Sequence, residues 1–197
     1  MKKLITYGII VVIAIFAFSV FSRINNIPKL DEDLKSKWAQ VDNQYKRRAD
    51  LITNLVNTVK GYAKHEKGTF VEVIEARSKV GQININANDL SNKKMMEAYS
   101  KAQSNLSSSL SKLMLVVERY PDLKANKNFL ALQSQLEGTE NRIAVARKDY
   151  IMSVKKYNIE LRTFPGSITA MIFHSNAKLK EIFTISKQDK ELPKVQF

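Results

Sequence analysis

The sequence predicts an all-α protein in which an N-terminal transmembrane helix is followed by a long antiparallel four-helix, up-and-down bundle. Three observations predict this fold class. An uncharged apolar run occupies residues 4–21. Apolar residues then recur at steps of three and four through most of the chain, which is the spacing of one helix face. Finally, the 197 residues include only six Gly and four Pro, too few for the many turns of a β-protein.

The predicted transmembrane helix is Leu4–Phe21, which lies between Lys2-Lys3 and Arg23 after a flank of residues 1–3. At about 1.5 Å per residue it would span roughly 27 Å, close to the roughly 30 Å of a hydrocarbon core. The alternative is a cleaved secretory signal, for which Ala17-Phe18-Ser19 offers a small-x-small site. That site lies inside the apolar run, and the run is longer than a usual signal core. The basic residues on the two flanks do not decide the orientation.

A polar hinge at residues 22–29 is predicted to lead into a helical-bundle domain at residues 30–166. The first long helix of this domain is predicted from an apolar stripe that keeps its spacing for about eight turns. Gly61 and Gly68 bracket a predicted kink or break, after which the helical spacing resumes as far as Gly81. The stripe consists of Leu34, Trp38, Val41, Tyr45, Ala49, Ile52, Val56, Val59 and Ala63.

Two more helices are predicted beyond a turn at residues 85–92, where Asn, Asp and Ser are frequent. The third helix is predicted from Met95 to Val117, and Tyr120-Pro121-Asp122 stops it. The fourth is predicted from Asn126 to Arg162. Its stripe includes three aromatic residues spaced seven apart: Tyr150, Tyr157 and Phe164.

The C-terminal region, residues 167–197, is predicted as a short apolar helix followed by a basic tail. Pro165-Gly166 ends the fourth helix, because proline cannot continue the backbone hydrogen bonds and glycine tolerates the exit geometry. The short apolar helix is Ile168–Phe173, and the tail begins at about Ser175.

The charge of the chain indicates attraction to anionic partners. The sequence has 32 basic and 19 acidic residues, for a net charge of +13. The candidate contact residues for an anionic partner lie in or just after the first long helix. The alternative is a solvated, charged face on which Lys46 pairs with Asp42 or Asp50. These candidates are Lys46, Arg47, Arg48, Lys60, Lys64 and Lys67.

The kind of anionic partner is narrowed by distance and by the neighbouring aromatic residues. An upright helix would hold Lys46 roughly 35 Å from the membrane, well beyond a Debye length of about 8 Å. Membrane contact by this cluster would therefore require the bundle to lie down. Nucleic acid is not an expected partner, because Tyr45 and Tyr62 lie on or beside the apolar stripe and are not free to stack on bases.

No catalytic, cofactor-binding or metal-binding residues are predicted. With no cysteine, the chain lacks disulfides, thiolate metal sites and cysteine nucleophiles. His65 and His174 lie in no metal-binding spacing, and phosphate-binding loops and nucleophile-elbow motifs are absent from the sequence. The carboxylate pairs Glu72/Glu75 and Glu137/Glu140 are of a kind that helix surfaces carry routinely.

The sequence resembles the LemA family of bacterial membrane-anchored helical proteins. The resemblance is carried by WAQVDNQYKRRADLITNLVNTVKGYAKHEK at Trp38–Lys67, by RYPDLKANKNFLALQSQLEGTENRIAVARKDYIMSVKKYN at Arg119–Asn158, by Phe164-Pro165 and by Pro193–Phe197. It covers essentially the whole chain. Thr53 and Phe173-His174-Ser175 depart from the family pattern, which puts only the local turn after the fourth helix in doubt. The resemblance implies one membrane-spanning helix, a water-exposed helical bundle and no established enzymatic activity, and it supplies no catalytic residues.

Three functions are compatible with these patterns. The first is a non-enzymatic scaffold or adaptor, anchored by Leu4–Phe21 in a bacterial cell membrane as a single-pass protein. Homo-oligomers and unknown protein partners are expected, since Ile168–Phe173 and the tail offer apolar surface that one bundle would not cover. The second is a peripheral protein that binds anionic lipid or remodels membranes. The third is an uncharacterised enzyme or processing factor, which would need converging polar residues inside the bundle.

Overall fold

The long helices follow the predicted apolar stripes. The computed structural model describes residues 2–63 and 65–183, which contain helices, turns and one extended segment, and no β-strand occurs within these two ranges. The α-helices of this part of the chain are α1 Lys2–Phe21, α2 Asn26–Tyr62, α3 Lys67–Gln82, α4 Lys93–Val117, α5 Pro121–Lys124, α6 Lys127–Arg162 and α7 Gly166–Phe173.

Helix α1 contains the whole of the predicted transmembrane segment Leu4–Phe21. Its large apolar side chains are exposed along its length, from Leu4 at 76% to Phe21 at 65%. Within the described residues, one helical stretch is long and apolar enough to cross a membrane, and its apolar part lies near the N-terminus. A helix that hides so little of its apolar surface inside the protein is suited to lipid.

Several helix bounds differ from the predicted ones. Helix α2 begins at Asn26, inside the segment 22–29 that was predicted as a hinge, so that only residues 22–25 form turns. Of the kink or break predicted between Gly61 and Gly68, the structure has the break, because α2 ends at Tyr62 and α3 begins at Lys67. The predicted stop at residues 120–122 starts the short helix α5. Helix α6 begins where expected, because the Asn126 side chain accepts hydrogen bonds from the backbone amides of Asn128 and Phe129 at 2.9 and 3.1 Å.

The four helices of the predicted bundle are α2, α3, α4 and α6, and they pack as two antiparallel pairs. In the α2–α6 pair, Asn126 Nδ2 donates to the Tyr62 hydroxyl at 2.7 Å, at the end far from α1. At the near end, Arg23, just before α2, reaches Glu160 near the end of α6. In the α3–α4 pair, Lys112 Nζ lies 2.5 Å from Glu72 Oε1. The prediction that the four helices form a single up-and-down bundle stays a prediction.

Two apolar clusters fill the interior. The cluster nearer α1 is built around aromatic residues, including Trp38, Tyr45, Tyr99 and Tyr150. The far cluster is mainly aliphatic and is closed by Phe70 and Phe129. Both clusters draw on α2, α4 and α6, so the predicted stripes of these helices meet inside the protein.

The segment after α7, residues 174–183, begins with a turn and then lies across the aromatic cluster, and we call it the C-terminal strap. Tyr150 Oη donates to the Glu181 carbonyl at 2.9 Å, and the Glu181 amide donates to the Leu90 carbonyl at 2.8 Å. Phe183 is 4% exposed and stacks on Trp38, with ring centroids 5.6 Å apart. The predicted tail from Ser175 therefore begins as an ordered part of the core, and its residues 184–197 lie outside the described residues.

A partly buried ion pair also holds the strap. Lys180 Nζ lies 3.3 Å from Asp31 Oδ1, and the Lys180 side chain is only 11% exposed. Burial pushes the pKa of the Asp31 carboxyl upward, but hydrogen bonding to Lys35 and the nearby charge of Lys180 outweigh it, so this pKa lies below its ordinary value. Asp31 therefore stays ionised at neutral pH and fixes the strap to the first turns of α2.

Candidate functional site

The predicted basic cluster is divided by the fold. Lys46, Arg47, Lys60 and Lys67 are exposed, whereas Arg48 is 3% exposed and lies in the interior. The expectation that residues 46–48 point outward was wrong for Arg48. Its position gave a signal, because it lies three residues after Tyr45 and four before Ile52, both on the buried face of α2. Lys64 lies outside the described residues.

The Arg48 guanidinium joins three helices. From α2, its Nη1 donates to Glu140 Oε1 of α6 at 3.1 Å and to Ser107 Oγ of α4 at 3.2 Å. Its Nη2 donates to Gln103 Oε1 of α4. The guanidinium carbon also lies 5.1 Å from the centroid of the Tyr45 ring. We call Arg48, Gln103, Ser107 and Glu140 the polar layer, and it separates the aromatic cluster from the aliphatic one.

The polar layer has the chemistry of a structural site. An arginine stays protonated in proteins and cannot act as a general base. Ser107 Oγ donates to the Gln103 carbonyl at 3.2 Å and accepts from Arg48, so its partners do not activate it as a nucleophile. Within the described residues, no group of three or more His, Asp and Glu could hold a metal ion. The expectation of a chain with no catalytic, cofactor or metal residues stays a prediction.

The exposed basic residues are partly engaged with their neighbours. Lys46 Nζ lies 2.7 Å from Asp42 Oδ2, the pair that the sequence suggested. Arg47 Nη2 donates to Gln135 Oε1 of α6 at 3.1 Å. Lys60 and Lys67 are exposed at the end of the molecule far from α1. Their role in binding an anionic partner stays a prediction.

Helix α6 carries an apolar stripe on its outer face. Val145, Met152 and Ile159 are spaced seven residues apart and are 61%, 50% and 47% exposed. This spacing places them within about one-ninth of a turn of one another along the helix. The exposed residues Lys148 and Lys155 lie beside them. These three apolar residues, which we call the α6 stripe, form a surface typical of helix-to-helix contact.

A second exposed apolar surface lies where α1 meets the rest of the protein. The Phe164 ring stacks on Phe16 of α1 with centroids 5.9 Å apart, and Phe173 of α7 lies 6.2 Å from Phe21. Phe164 is 62% exposed. Its assignment to the buried stripe of the fourth helix was wrong, because α6 ends at Arg162 and the seven-residue spacing then no longer fixes its direction.

Polar contacts fix this junction. Arg23 Nη1 lies 3.2 Å from Glu160 Oε2, and His174 Nε2 lies 2.8 Å from the Ile24 carbonyl oxygen. Gly166 at the start of α7 lies directly against Glu160, so closely that a Cβ atom there would be 2.3 Å from the Glu160 carbonyl oxygen. The two histidines of the sequence thus differ: His65 is exposed, and His174 bridges the strap to the chain that follows α1.

The sequence pattern of the LemA family matches residues 37–197 of the chain. The chain belongs to the LemA family. The MamQ 2 magnetosome protein of Paramagnetospirillum magneticum is 26% identical to this LemA-family chain over 185 residues, which cover 83% of this chain and 67% of the relative. Protein LemA of Metamycoplasma hominis is 24% identical over 155 residues, covering 79% of this chain and 67% of the relative. The MamQ magnetosome protein of Magnetospirillum gryphiswaldense is 25% identical, covering 80% and 64%.

Proposed function

We propose that this LemA-family chain is a membrane-anchored scaffold or adaptor that works by contact with other proteins, including copies of itself. Helix α1 anchors it in a bacterial cell membrane as a single pass. Helices α2, α3, α4 and α6 form one up-and-down bundle that carries the contact surfaces into the adjoining aqueous compartment. The role is non-enzymatic, since the polar side chains that converge inside the bundle hold helices together.

The α6 stripe is the observation that carries this proposal. Its apolar side chains lie opposite the face of α6 that packs on α2, so they contribute little to the fold of one molecule. Two copies anchored in one membrane have parallel α6 helices and a raised local concentration. Pairing of the stripes would bring Lys148 and Lys155 of both copies together. Self-association should therefore be modest and should strengthen with salt, which screens like charges. An acidic partner helix would show the opposite salt dependence.

Cysteine crosslinking tests the proposal, because the chain has no cysteine of its own. Met152→Cys places a single thiol on the stripe. Ala98→Cys is the control. Ala98 is exposed on α4 next to Tyr99, whose ring lies against Trp38, so its distance from α1 is similar to that of Met152. In native membranes we expect oxidation to give disulfide dimers with Met152→Cys and few with Ala98→Cys, with a yield that rises with salt.

The other outcomes separate the parts of the proposal. If a photoreactive maleimide on residue 152 captured a different protein and no dimer formed, the scaffold role would be supported and self-association would be contradicted. If disulfide crosslinking and photocapture both gave only monomers over a wide range of expression levels, the scaffold role itself would be contradicted.

The alternative of anionic-lipid binding depends on Lys46, Arg47, Lys60 and Lys67. They are exposed, but an upright α2 holds them tens of ångströms from the bilayer at about 1.5 Å per residue. This alternative therefore requires the bundle to lie on the membrane. The exposed apolar residues at the opposite end of the molecule, next to α1, are closer to lipid.

A further inference from the structure

The surface around α7 lies at the level of the membrane that holds α1. Phe16 lies five residues before the end of α1, which corresponds to about 7.5 Å along a helix. The Phe164 ring stacks on the Phe16 ring. If Leu4–Phe21 crosses the bilayer, Phe164 must lie beside lipid at the depth of Phe16.

Helix α7 continues this surface away from α1. Met171 and Ile172 are 77% and 63% exposed, more than most apolar residues outside α1, and Phe173 is 45% exposed. Together with Phe164 they form a group of four large apolar side chains, which we call the α7 patch. Exposing a patch of this kind to water would cost free energy. Because the patch is continuous with a membrane-spanning helix, the lipid beside that helix would cover it.

The residues around the patch suit the headgroup layer. Arg162 ends α6 two residues before Phe164, and Lys178 follows the end of α7 by five residues. Lys29 lies in the first turn of α2, eight residues after the end of α1. All three side chains are exposed. Apolar side chains in the acyl boundary, with Lys and Arg beside them at the headgroups, are the arrangement of interfacial helices.

The junction is also held in one geometry. The Arg23–Glu160 ion pair, the His174 contact to the Ile24 carbonyl and the close approach of Gly166 to Glu160 fix α7 beside the end of α1. The patch therefore cannot turn away from the bilayer without breaking these contacts.

We propose that Phe164 and α7 form a second membrane contact, in which the α7 patch lies in the leaflet next to the end of α1 and holds the bundle at a fixed angle to the membrane. This inference rests on the anchor in the proposed function. It gives the chain two membrane attachments, a spanning helix and an interfacial one. The base of the bundle is then fixed to the bilayer, where a single flexible tether would leave it free to swing.

Depth-dependent fluorescence quenching tests the inference. Single cysteines at positions 13, 115 and 171 are labelled with an environment-sensitive fluorophore, and the full-length chains are reconstituted in vesicles of phosphatidylcholine and phosphatidylglycerol that contain brominated acyl chains. Ile13→Cys reports the anchor. Leu115→Cys is the control, because Leu115 is 71% exposed and apolar like Met171, but lies near the far end of α4. All three positions are exposed, so the fold should survive, and circular dichroism of each variant checks this.

We expect the labels at positions 13 and 171 to lose most of their emission to the brominated lipids and the label at 115 to lose almost none. Quenching at 13 with no more quenching at 171 than at 115 would overturn the inference and leave the anchor intact. A blue-shifted label at 171 that lipids do not quench would overturn it in favour of contact with a second copy. No quenching at 13 would overturn both the anchor and the inference that depends on it.

Discussion

Arg48 shows how a single residue sets the register of the helices. A buried charge is tolerated only when it is paired and hydrogen-bonded, and Arg48 meets this demand with partners from α4 and α6. A slip of any of the three helices by one residue would take at least one of these acceptors away from the guanidinium. The polar layer thus specifies one alignment of helices whose apolar stripes alone would accept several.

Removing the charge of Glu140 should therefore destabilise the protein. For Glu140→Gln we expect the free energy of unfolding to fall by about 1–2 kcal/mol. This is less than the roughly 1.5–3 kcal/mol of a buried hydrogen bond to a charged group, because the Glu140 side chain is 44% exposed. Denaturant unfolding of the full chain in detergent micelles measures this change.

Glu137→Gln is the matched control, since Glu137 is exposed on the same helix and its contact is with Gln133 of α6 itself. Its effect should stay within about 0.5 kcal/mol. Equal effects of the two substitutions would show that Arg48 does not depend on Glu140.

Gly166 is required by a close approach of two parts of the chain. In Gly166→Ala the new Cβ would meet the Glu160 carbonyl oxygen at 2.3 Å, so backbone must shift. We expect a loss of about 1–3 kcal/mol of stability, as for other overpacked sites. Thermal unfolding monitored by circular dichroism in micelles measures it.

Gly81 in α3 offers the opposite case, because a Cβ there meets nothing within 4 Å. Gly81→Ala should raise stability by about 0.5–1 kcal/mol through helix propensity. If both substitutions were neutral, the junction would be looser than the contact between Gly166 and Glu160 indicates.

At the scale of elements, the C-terminal strap completes the aromatic cluster. Phe183 contacts Trp38 and Tyr150, and the Arg147 guanidinium lies 4.7 Å from its ring centroid on the other side. The strap is held by backbone hydrogen bonds, by the ion pair between Lys180 and Asp31, and by this one aromatic side chain. Its docking therefore depends strongly on Phe183.

Phe183→Ala should release the strap. A buried Phe→Ala change costs about 3–5 kcal/mol, and each 1.4 kcal/mol corresponds to a factor of about ten in the opening equilibrium. We expect hydrogen exchange of the Glu181 amide to become at least about a hundredfold faster. The fluorescence of Trp38, the single tryptophan, should shift to the red as its ring loses a buried partner.

Ile182→Ala provides the comparison, because Ile182 is 44% exposed. It should change neither signal appreciably. A strap that stayed protected in Phe183→Ala would mean that the polar contacts alone hold it.

At the scale of the whole molecule, the sequence was most informative where residues repeat at helical spacing. Trp38, Tyr45, Tyr150 and Tyr157 were predicted on buried faces and are buried, because the period of a long helix fixes their directions. The all-helical class and the apolar N-terminal helix follow from the same kind of pattern, and the LemA family is confirmed by comparison.

The features that sequence reasoning missed depend on contacts between distant parts of the chain. Phe183 stands in a basic segment with no period, and the cavity that receives it is built by α2 and α6. Phe164 follows the end of a helix, so its direction is set by the junction with α1. The burial of Arg48 was visible in its spacing but contrary to its charge, and only partners on α4 and α6 resolve that conflict.

The strap has a consequence for the order of events during synthesis. Trp38 leaves the ribosome early, whereas Phe183, which covers it, leaves only after α6 and α7 have been made. Folding on a growing chain generally proceeds from the N-terminal side, yet here the half of the interior nearer α1 must wait for one of the later helices and the segment after it. A nascent chain halted before Phe183 would already have α1 and its far aliphatic half, while its tryptophan would still face water.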